Sequence, residues 1–127
     1  MKHKATVLLS IAFVATFLIL ANNALANKAS VKIDAPDSVV KGSEITIKIN
    51  VEHDSNSMFH YTKWVYVMIN GKETNRWEYS WRKRPESNNF TKEITYTVNE
   101  PLEIVAEASC NTHGSENKVL HTVSLKE

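Results

Sequence analysis

The stretch Glu44–His53, which reads EITIKINVEH, alternates apolar and polar residues along most of its length. Ile45, Ile47, Ile49 and Val51 fall on one face, and polar side chains separate them. Successive side chains of a β-strand point to opposite faces of the sheet. The alternation therefore predicts a strand with one face buried in a core and the other face in water.

The segment Tyr61–Trp81 predicts two further strands joined at Asn70-Gly71. An Asn-Gly pair adopts the positive φ angles that a two-residue hairpin turn requires, so the two strands should be antiparallel neighbours.

Period-two alternation recurs along the rest of the chain, and turn-forming residues interrupt it. The predicted strands are Val31–Ala35, Phe90–Asn99, Leu102–Ser109 and Val119–Leu125, and the breaks contain Pro36, Lys41-Gly42, Asn99-Glu100-Pro101 and Gly114-Ser115. About seven short strands without a convincing amphipathic helix are typical of an immunoglobulin-like sandwich of two antiparallel sheets.

The N-terminal residues have the composition of a secretory signal. Met1–Lys4 is basic, Ala5–Leu20 is a run of uncharged residues, and Ala24-Leu25-Ala26 is a small-x-small cleavage site. We therefore expect residues 1–26 to be a signal peptide and residues 27–127 to be one exported, periplasmic domain. An uncleaved membrane anchor is the alternative, although the apolar run is short for a bilayer span.

The charge of the expected mature domain argues against a polyanionic partner. Without Lys2 and Lys4, 13 basic residues face 14 acidic ones, which gives a formal charge of −1. No basic stripe remains, so we expect neither a nucleic acid nor, after signal cleavage, a membrane as partner. Whether the domain forms a homo-oligomer is left open.

The chain has a single cysteine, Cys110, which cannot form an intramolecular disulfide. It ends a predicted strand, and His113 lies in the following turn. His53 and His60 bracket one connection between strands, so the three imidazoles and the thiol can meet at one rim of the sandwich. Such a set suits iron, copper or zinc and not magnesium or calcium. Taken singly, each histidine is more often a solvated side chain, and a lone cysteine an apolar filler.

Two motifs resemble the superoxide reductases, the family of desulfoferrodoxin and neelaredoxin. CNTHG at Cys110–Gly114 is similar to the Cys-Asn-x-His-Gly motif of that family, and HYTKWVYV at His60–Val67 is similar to its His-Tyr/His-x-x-Trp strand. His53 matches the histidine that opens the same loop. The resemblance covers about Val31 to Leu125 and implies the same immunoglobulin-like fold.

The resemblance also implies a mononuclear ferrous site with four equatorial histidines and an axial thiolate. Cys110 would be the axial ligand, and His53, His60 and His113 would be equatorial ligands. The implied reaction is the one-electron reduction of superoxide to hydrogen peroxide, with an electron donor that the sequence does not identify.

The chain departs from the family in two places. The Glu-Lys-His segment that carries the fourth histidine aligns with Asn27, Lys28 and Ala29, so only Lys28 matches, as the substrate-attracting lysine. The loop from His53 to His60 is one residue longer than the family's and lacks its usual proline. His121 lies on an alternating strand and is interpreted as a core or sheet-face residue, not as the fourth ligand.

Two other functions fit the same sequence. A site with three histidines and one cysteine could belong to a non-catalytic metal-binding or electron-transfer module that holds iron, zinc or copper. An adhesion domain without metal would use the segment Trp77–Phe90, with Trp81, Arg82 and Arg84 as anchors. Packing in the core and on the sheets is the simpler interpretation of Trp64, Trp77 and Trp81.

Overall fold

The computed structural model describes residues 28–127, so the expected signal peptide lies outside the described residues. The described part of the chain forms eight β-strands: β1 (Ser30–Asp34), β2 (Ser38–Val40), β3 (Ser43–Glu52), β4 (Thr62–Ile69), β5 (Lys72–Glu78), β6 (Phe90–Val98), β7 (Leu102–Cys110) and β8 (Lys118–Lys126). None of these residues forms a helix that is long and apolar enough to cross a membrane.

The strands form two sheets. One has three strands in the order β1-β3-β6, and the other has five in the order β2-β8-β7-β4-β5. The predicted all-β sandwich is confirmed, with one strand more than expected. The additional strand, β2, pairs in parallel with β8, whereas every other pair is antiparallel. Its three residues are too few for an alternating pattern to be recognised.

Inward-facing residues of the two sheets form the core. The four apolar residues of Glu44–His53 that share a face are all less than 8 % exposed. The opposite sheet contributes a second set of buried residues: Val65, Val67, Ile104, Ala106 and Ala108. The alternation in sequence thus becomes the alternation between core and solvent.

Strand register brings four strand ends to one end of the sandwich. The first residue of β4, Thr62, lies opposite the last residue of β7, Cys110. The end of β3 pairs with the start of β1, where Ser30 lies opposite Glu52, and Ala29 bridges to Ser115 just after β7. We call this the ligand end. The other end of β4 carries the turn into β5, which we call the hairpin end.

Candidate metal centre

His53 continues the inward face of β3 beyond Val51 and is only 4 % exposed. Its backbone N–H donates to Asn89 Oδ1 at 3.1 Å. Its ring Nδ1 lies 3.2 Å from the buried Oγ1 of Thr62. In the tautomer with the hydrogen on Nδ1, His53 donates to Thr62, and this bond orients the ring and leaves on Nε2 the lone pair that a cation would bind.

Cys110 ends β7 facing inward, and a tight turn follows it. The Cys110 N–H donates to Gly114 O at 2.9 Å, and the Gly114 N–H donates back to Cys110 O at 3.3 Å. Gly114 has a φ of 81°, which glycine adopts without the steric penalty of a side chain. The N–H groups of Thr112 and His113 point to Cys110 Sγ at 3.3 and 3.4 Å. These two donors stabilise negative charge on the sulfur.

Asn111 holds the turn against the segment that carries His60. It exchanges hydrogen bonds with Tyr61: Tyr61 N–H donates to Asn111 Oδ1, and Asn111 N–H donates to Tyr61 O, both at 3.0 Å. Asn111 Nδ2 also donates to Phe59 O at 3.0 Å. The asparagine therefore fixes His60 beside the Cys110–Gly114 turn.

The four predicted ligands converge. His60 Nε2 lies 3.2 Å from His53 Nε2 and 3.2 Å from His113 Nδ1. His113 Nδ1 lies 3.9 Å from Cys110 Sγ. One ligand atom each from His53, His60 and Cys110 lies within 4.8 Å of the others. Residues as far apart in sequence as 53 and 113 are thus gathered at the ligand end.

These separations fit ligands of one ion. Two nitrogens bound at 2.0–2.1 Å are about 2.9 Å apart at a right angle and about 3.4 Å apart at a tetrahedral angle. The observed 3.2 Å lies between these values. A ring nitrogen carries one hydrogen or one lone pair, so His60 Nε2 is poorly suited to hydrogen bond with two imidazoles at once. A cation held by His53, His60 and Cys110, whose ligand atoms are mutually close, would remove this conflict, and the nitrogen and sulfur donors suit iron, zinc or copper.

Ala29 occupies the position expected for a fourth histidine. Extending the β1–β3 register by one pair places it opposite His53, on the same inward face. Its N–H donates to Gly114 O at 3.3 Å, and its carbonyl accepts from Glu116 N–H at 2.8 Å, so it adjoins the cysteine turn. A methyl group supplies no ligand, and the described residues provide no other histidine at this place.

Lys28 lies beside the centre but among acidic groups. A groove of about 290 Å³ is lined by Lys28, Ser30, Glu52, His53, Asp54, Asn89 and Glu116. Asp54 Oδ1 is 4.0 Å from His53 Nε2, and Glu52 is engaged by Lys32 at 3.0 Å. The groove thus carries three carboxylates against one lining lysine, and its local charge is negative.

The fourth histidine of the described chain and the three tryptophans do not belong to the group of converging ligand atoms. His121 pairs with Ile104, toward the hairpin end, and its Nε2 lies 3.1 Å from Pro36 O. Trp64 stacks on Tyr66 at 5.5 Å between ring centroids, and Trp77 packs against the core. Trp81 was interpreted as a packing residue, but its side chain is 48 % exposed.

Three residues of the site were not predicted from the sequence. Thr62 and Asn89 support His53, and Asn111 links the two ligand-bearing segments. Asn111 lies inside the CNTHG motif, so the sequence could have indicated that it belongs to the site. Thr62 and Asn89 carry no signal, because their contacts arise only from strand pairing.

Comparison with known protein families shows to which family the chain belongs. The desulfoferrodoxin family profile matches residues 22–118. The chain belongs to the desulfoferrodoxin family. The match includes all four converging residues and confirms the resemblance inferred from CNTHG and HYTKWVYV. Comparison with curated protein sequences finds no significant match.

Solved structures share the fold of this family member. A superoxide reductase (neelaredoxin) from Ignicoccus hospitalis has a TM-score of 0.63 at 17% identity, covering 78% of this chain and 82% of its own. A candidate superoxide reductase from Thermotoga maritima has a TM-score of 0.62 at 21% identity, covering 81% and 90%. A CARDB domain from Pyrococcus furiosus, solved with di-metal ions, has a TM-score of 0.59 at 20% identity, covering 76% and 91%. At these identities the likeness concerns the fold.

Proposed function

We propose that the protein binds one iron ion through His53, His60, His113 and Cys110 and reduces superoxide to hydrogen peroxide. The observation that carries the proposal is the convergence of three imidazole nitrogens and one sulfur at the ligand end. Membership of the desulfoferrodoxin family supports the choice of iron. The reaction consumes one electron and two protons for each superoxide.

The residues of the chain have separate tasks in this proposal. Bound iron supplies a reversible one-electron couple. Cys110 would hold the iron through its negatively charged thiolate. Hydrogen bonds from the N–H groups of Thr112 and His113 to the sulfur would reduce the negative charge that it donates to the iron. Thr62 holds the His53 ring in its binding orientation. The exposed edge at His113 leaves the centre open to solvent, which supplies the protons.

Lys28 is proposed to attract the superoxide anion. Among the described residues, it is the one lysine or arginine that lines the groove beside His53. The three carboxylates of that groove oppose it, so we expect its contribution to be modest and sensitive to salt.

The proposal is tested with iron-loaded protein. After oxidation, we expect a visible thiolate-to-iron charge-transfer band that is absent in Cys110→Ser. Peroxide release from a superoxide source in the presence of an electron donor tests catalysis separately. Iron binding without the band would overturn the ligand assignment, and a band without superoxide reduction would overturn the catalytic part.

A second candidate is a non-catalytic metal-binding or electron-transfer module. Two observations favour it: Ala29 replaces the fourth histidine, and the groove at Lys28 is acidic, which disfavours an anionic substrate. Elemental analysis of natively purified protein discriminates between the candidates. Stoichiometric zinc or copper without iron would support the module.

We also propose export to the periplasm, based on the basic and apolar composition of residues 1–26. Intact-mass measurement of the protein from cell fractions tests this. A periplasmic species that begins at Asn27 is expected, and a full-length species retained in the cytoplasm would contradict export.

A further inference from the structure

An exposed aromatic surface adjoins the candidate metal centre. Met58, Phe59, Tyr61, Trp81 and Asn111 line a shallow groove of about 420 Å³. Phe59 is 81 % exposed, and Met58 and Trp81 are 46 % and 48 % exposed. Large apolar side chains grouped on a surface mark a contact site more often than isolated ones do. We call these five residues the aromatic surface.

Positive charge borders the aromatic surface. The loop after β5 contains Arg82, Lys83 and Arg84 in succession and has no acidic residue between Ser80 and Pro85. The guanidinium of Arg82 lies over the Trp81 ring, 4.5 Å from its centroid, and Arg84 Nη1 donates to Trp81 O at 3.1 Å. Within residues 28–127, no carboxylate lies within ion-pairing distance of these three cations. Their charge is available to an acidic partner.

The aromatic surface is connected directly to the metal-binding residues. Phe59 precedes His60, and its carbonyl accepts a hydrogen bond from Asn111, the neighbour of Cys110. The loop after β5 is also attached to the segment His53–His60, because Asn56 Nδ2 donates to Pro85 O at 2.8 Å. A molecule bound to this surface would contact Phe59 and Asn111, which are the sequence neighbours of the predicted ligands His60 and Cys110. The path from such a molecule to the metal centre would therefore be short, as electron transfer requires.

We propose that the aromatic surface and the cations Arg82, Lys83 and Arg84 dock an acidic one-electron carrier protein that reduces the metal centre. This inference rests on the proposed function and names the partner class that it requires. In the docked complex the reduced carrier gives up one electron and the oxidised centre gains it, while no bond forms or breaks. An apolar centre with a charged rim is typical of protein interfaces, and tryptophan and arginine dominate their binding energy.

Two other occupants fit the observations less well. A second copy of the chain would bring like cations together at the rim. An anionic lipid surface would match the positive charge of the rim, but it offers no electron to the proposed redox centre.

The test uses the iron-loaded chain and reduced plant-type ferredoxin, an acidic [2Fe–2S] carrier, as the probe. Stopped-flow bleaching of the charge-transfer band gives the rate of reduction. We expect Trp81→Ala and the double variant Arg82→Glu/Arg84→Glu each to slow reduction by ferredoxin at least tenfold. Reduction by hydroquinone, a small neutral reductant, should keep its wild-type rate.

Matched controls lie elsewhere on the surface. Leu120→Ser removes an apolar side chain that is 58 % exposed on β8, and Lys41→Glu reverses an exposed charge between β2 and β3. Both should keep the wild-type rate with ferredoxin. Equal rates for the docking variants and these controls would overturn the proposal.

Binding is also measured without electron transfer, by calorimetric titration of ferredoxin into zinc-loaded protein. Loss of binding in the Trp81 and arginine variants supports docking even if the iron protein proves inactive toward superoxide. A wild-type dimer that Trp81→Ala dissociates, or Trp81-dependent binding to phosphatidylglycerol vesicles, would contradict a carrier protein as the occupant. A band that hydroquinone cannot bleach would count against the redox function and not against docking.

Discussion

The two ends of β4 are built in different ways. At the hairpin end, Asn70 and Gly71 have φ angles of 50° and 79°, and two adjacent residues determine the turn. At the ligand end, Thr62 lies opposite Cys110, 48 positions later, and contacts His53, nine positions earlier. Local conformational preference therefore makes one end, and the pairing of distant strands makes the other. The stability of the two ends should accordingly respond to different changes.

Metal removal should produce the largest effect. Free metal at about a thousand times its Kd stabilises the folded state by about 4 kcal/mol. A domain of this size changes its Tm by about 4–8 °C per kcal/mol, so stripping with a chelator should lower Tm by more than about 15 °C. Differential scanning calorimetry measures the shift. Cys110→Ser is the control and should show a much smaller response, whereas an equal response would place the metal elsewhere.

The next effect concerns Ala29, which faces His53 across β1 and β3. Ala29→His supplies the imidazole that the position lacks. Groups that merely support ligands are typically worth 10–100-fold in metal affinity, so a direct ligand should slow metal release roughly 100-fold. Transfer of metal to a chromogenic chelator gives the rate. Ala29→Leu adds similar bulk without a nitrogen; matching rates in both variants would show that residue 29 does not face the centre.

The hairpin end should affect stability without affecting the metal. Gly71→Val forces a β-branched residue into the left-handed region and should cost about 1–2 kcal/mol of unfolding free energy. Denaturant unfolding of the metal-free protein measures this cost, with Lys72→Val as the neighbouring control. Metal content per folded chain should stay unchanged. A lowered metal content would show that the two ends are coupled.

The smallest effect is a pH dependence at the hairpin end. Hydrogen bonds from Arg76 hold the pKa of Glu73 below its usual value. The ion pair therefore stabilises the fold above the unfolded pKa of about 4.3 and loses this contribution as the pH falls through the lower folded value. Both groups are solvent exposed, so the gain is small. Glu73→Gln should lower Tm slightly at pH 7, and the difference from wild type should shrink as the pH falls below about 4.

The sequence predicted where the strands lie more completely than how they pair with one another. Alternation in EITIKINVEH located β3 and its buried face, and Asn70-Gly71 located the β4–β5 turn, because both signals are local. The short strand β2 was missed because three residues carry no periodicity. Its parallel pairing with β8 depends on residues 86 positions apart.

The sequence predicted the four residues of the candidate centre and their meeting at one rim of the sandwich, but not the residues that surround them. His53, His60, Cys110 and His113 were recognisable from their residue types at strand ends and from the CNTHG motif. The sequence did not show that Thr62 and Asn89 support His53, or that Lys28 lies among negative charges. Both features depend on the register of strands that are distant in sequence. The loop between His53 and His60 is one residue longer than the family's loop, yet the Nε2 atoms of the two rings lie 3.2 Å apart.

X-ray absorption at the iron edge of the reconstituted protein tests the central claim most directly. We expect one sulfur scatterer together with nitrogen scatterers and the multiple-scattering pattern of imidazole rings. Cys110→Ser should lose the sulfur component alone. A spectrum of oxygen and nitrogen neighbours with no sulfur in the wild-type protein would contradict a shared centre of Cys110 with His53, His60 and His113.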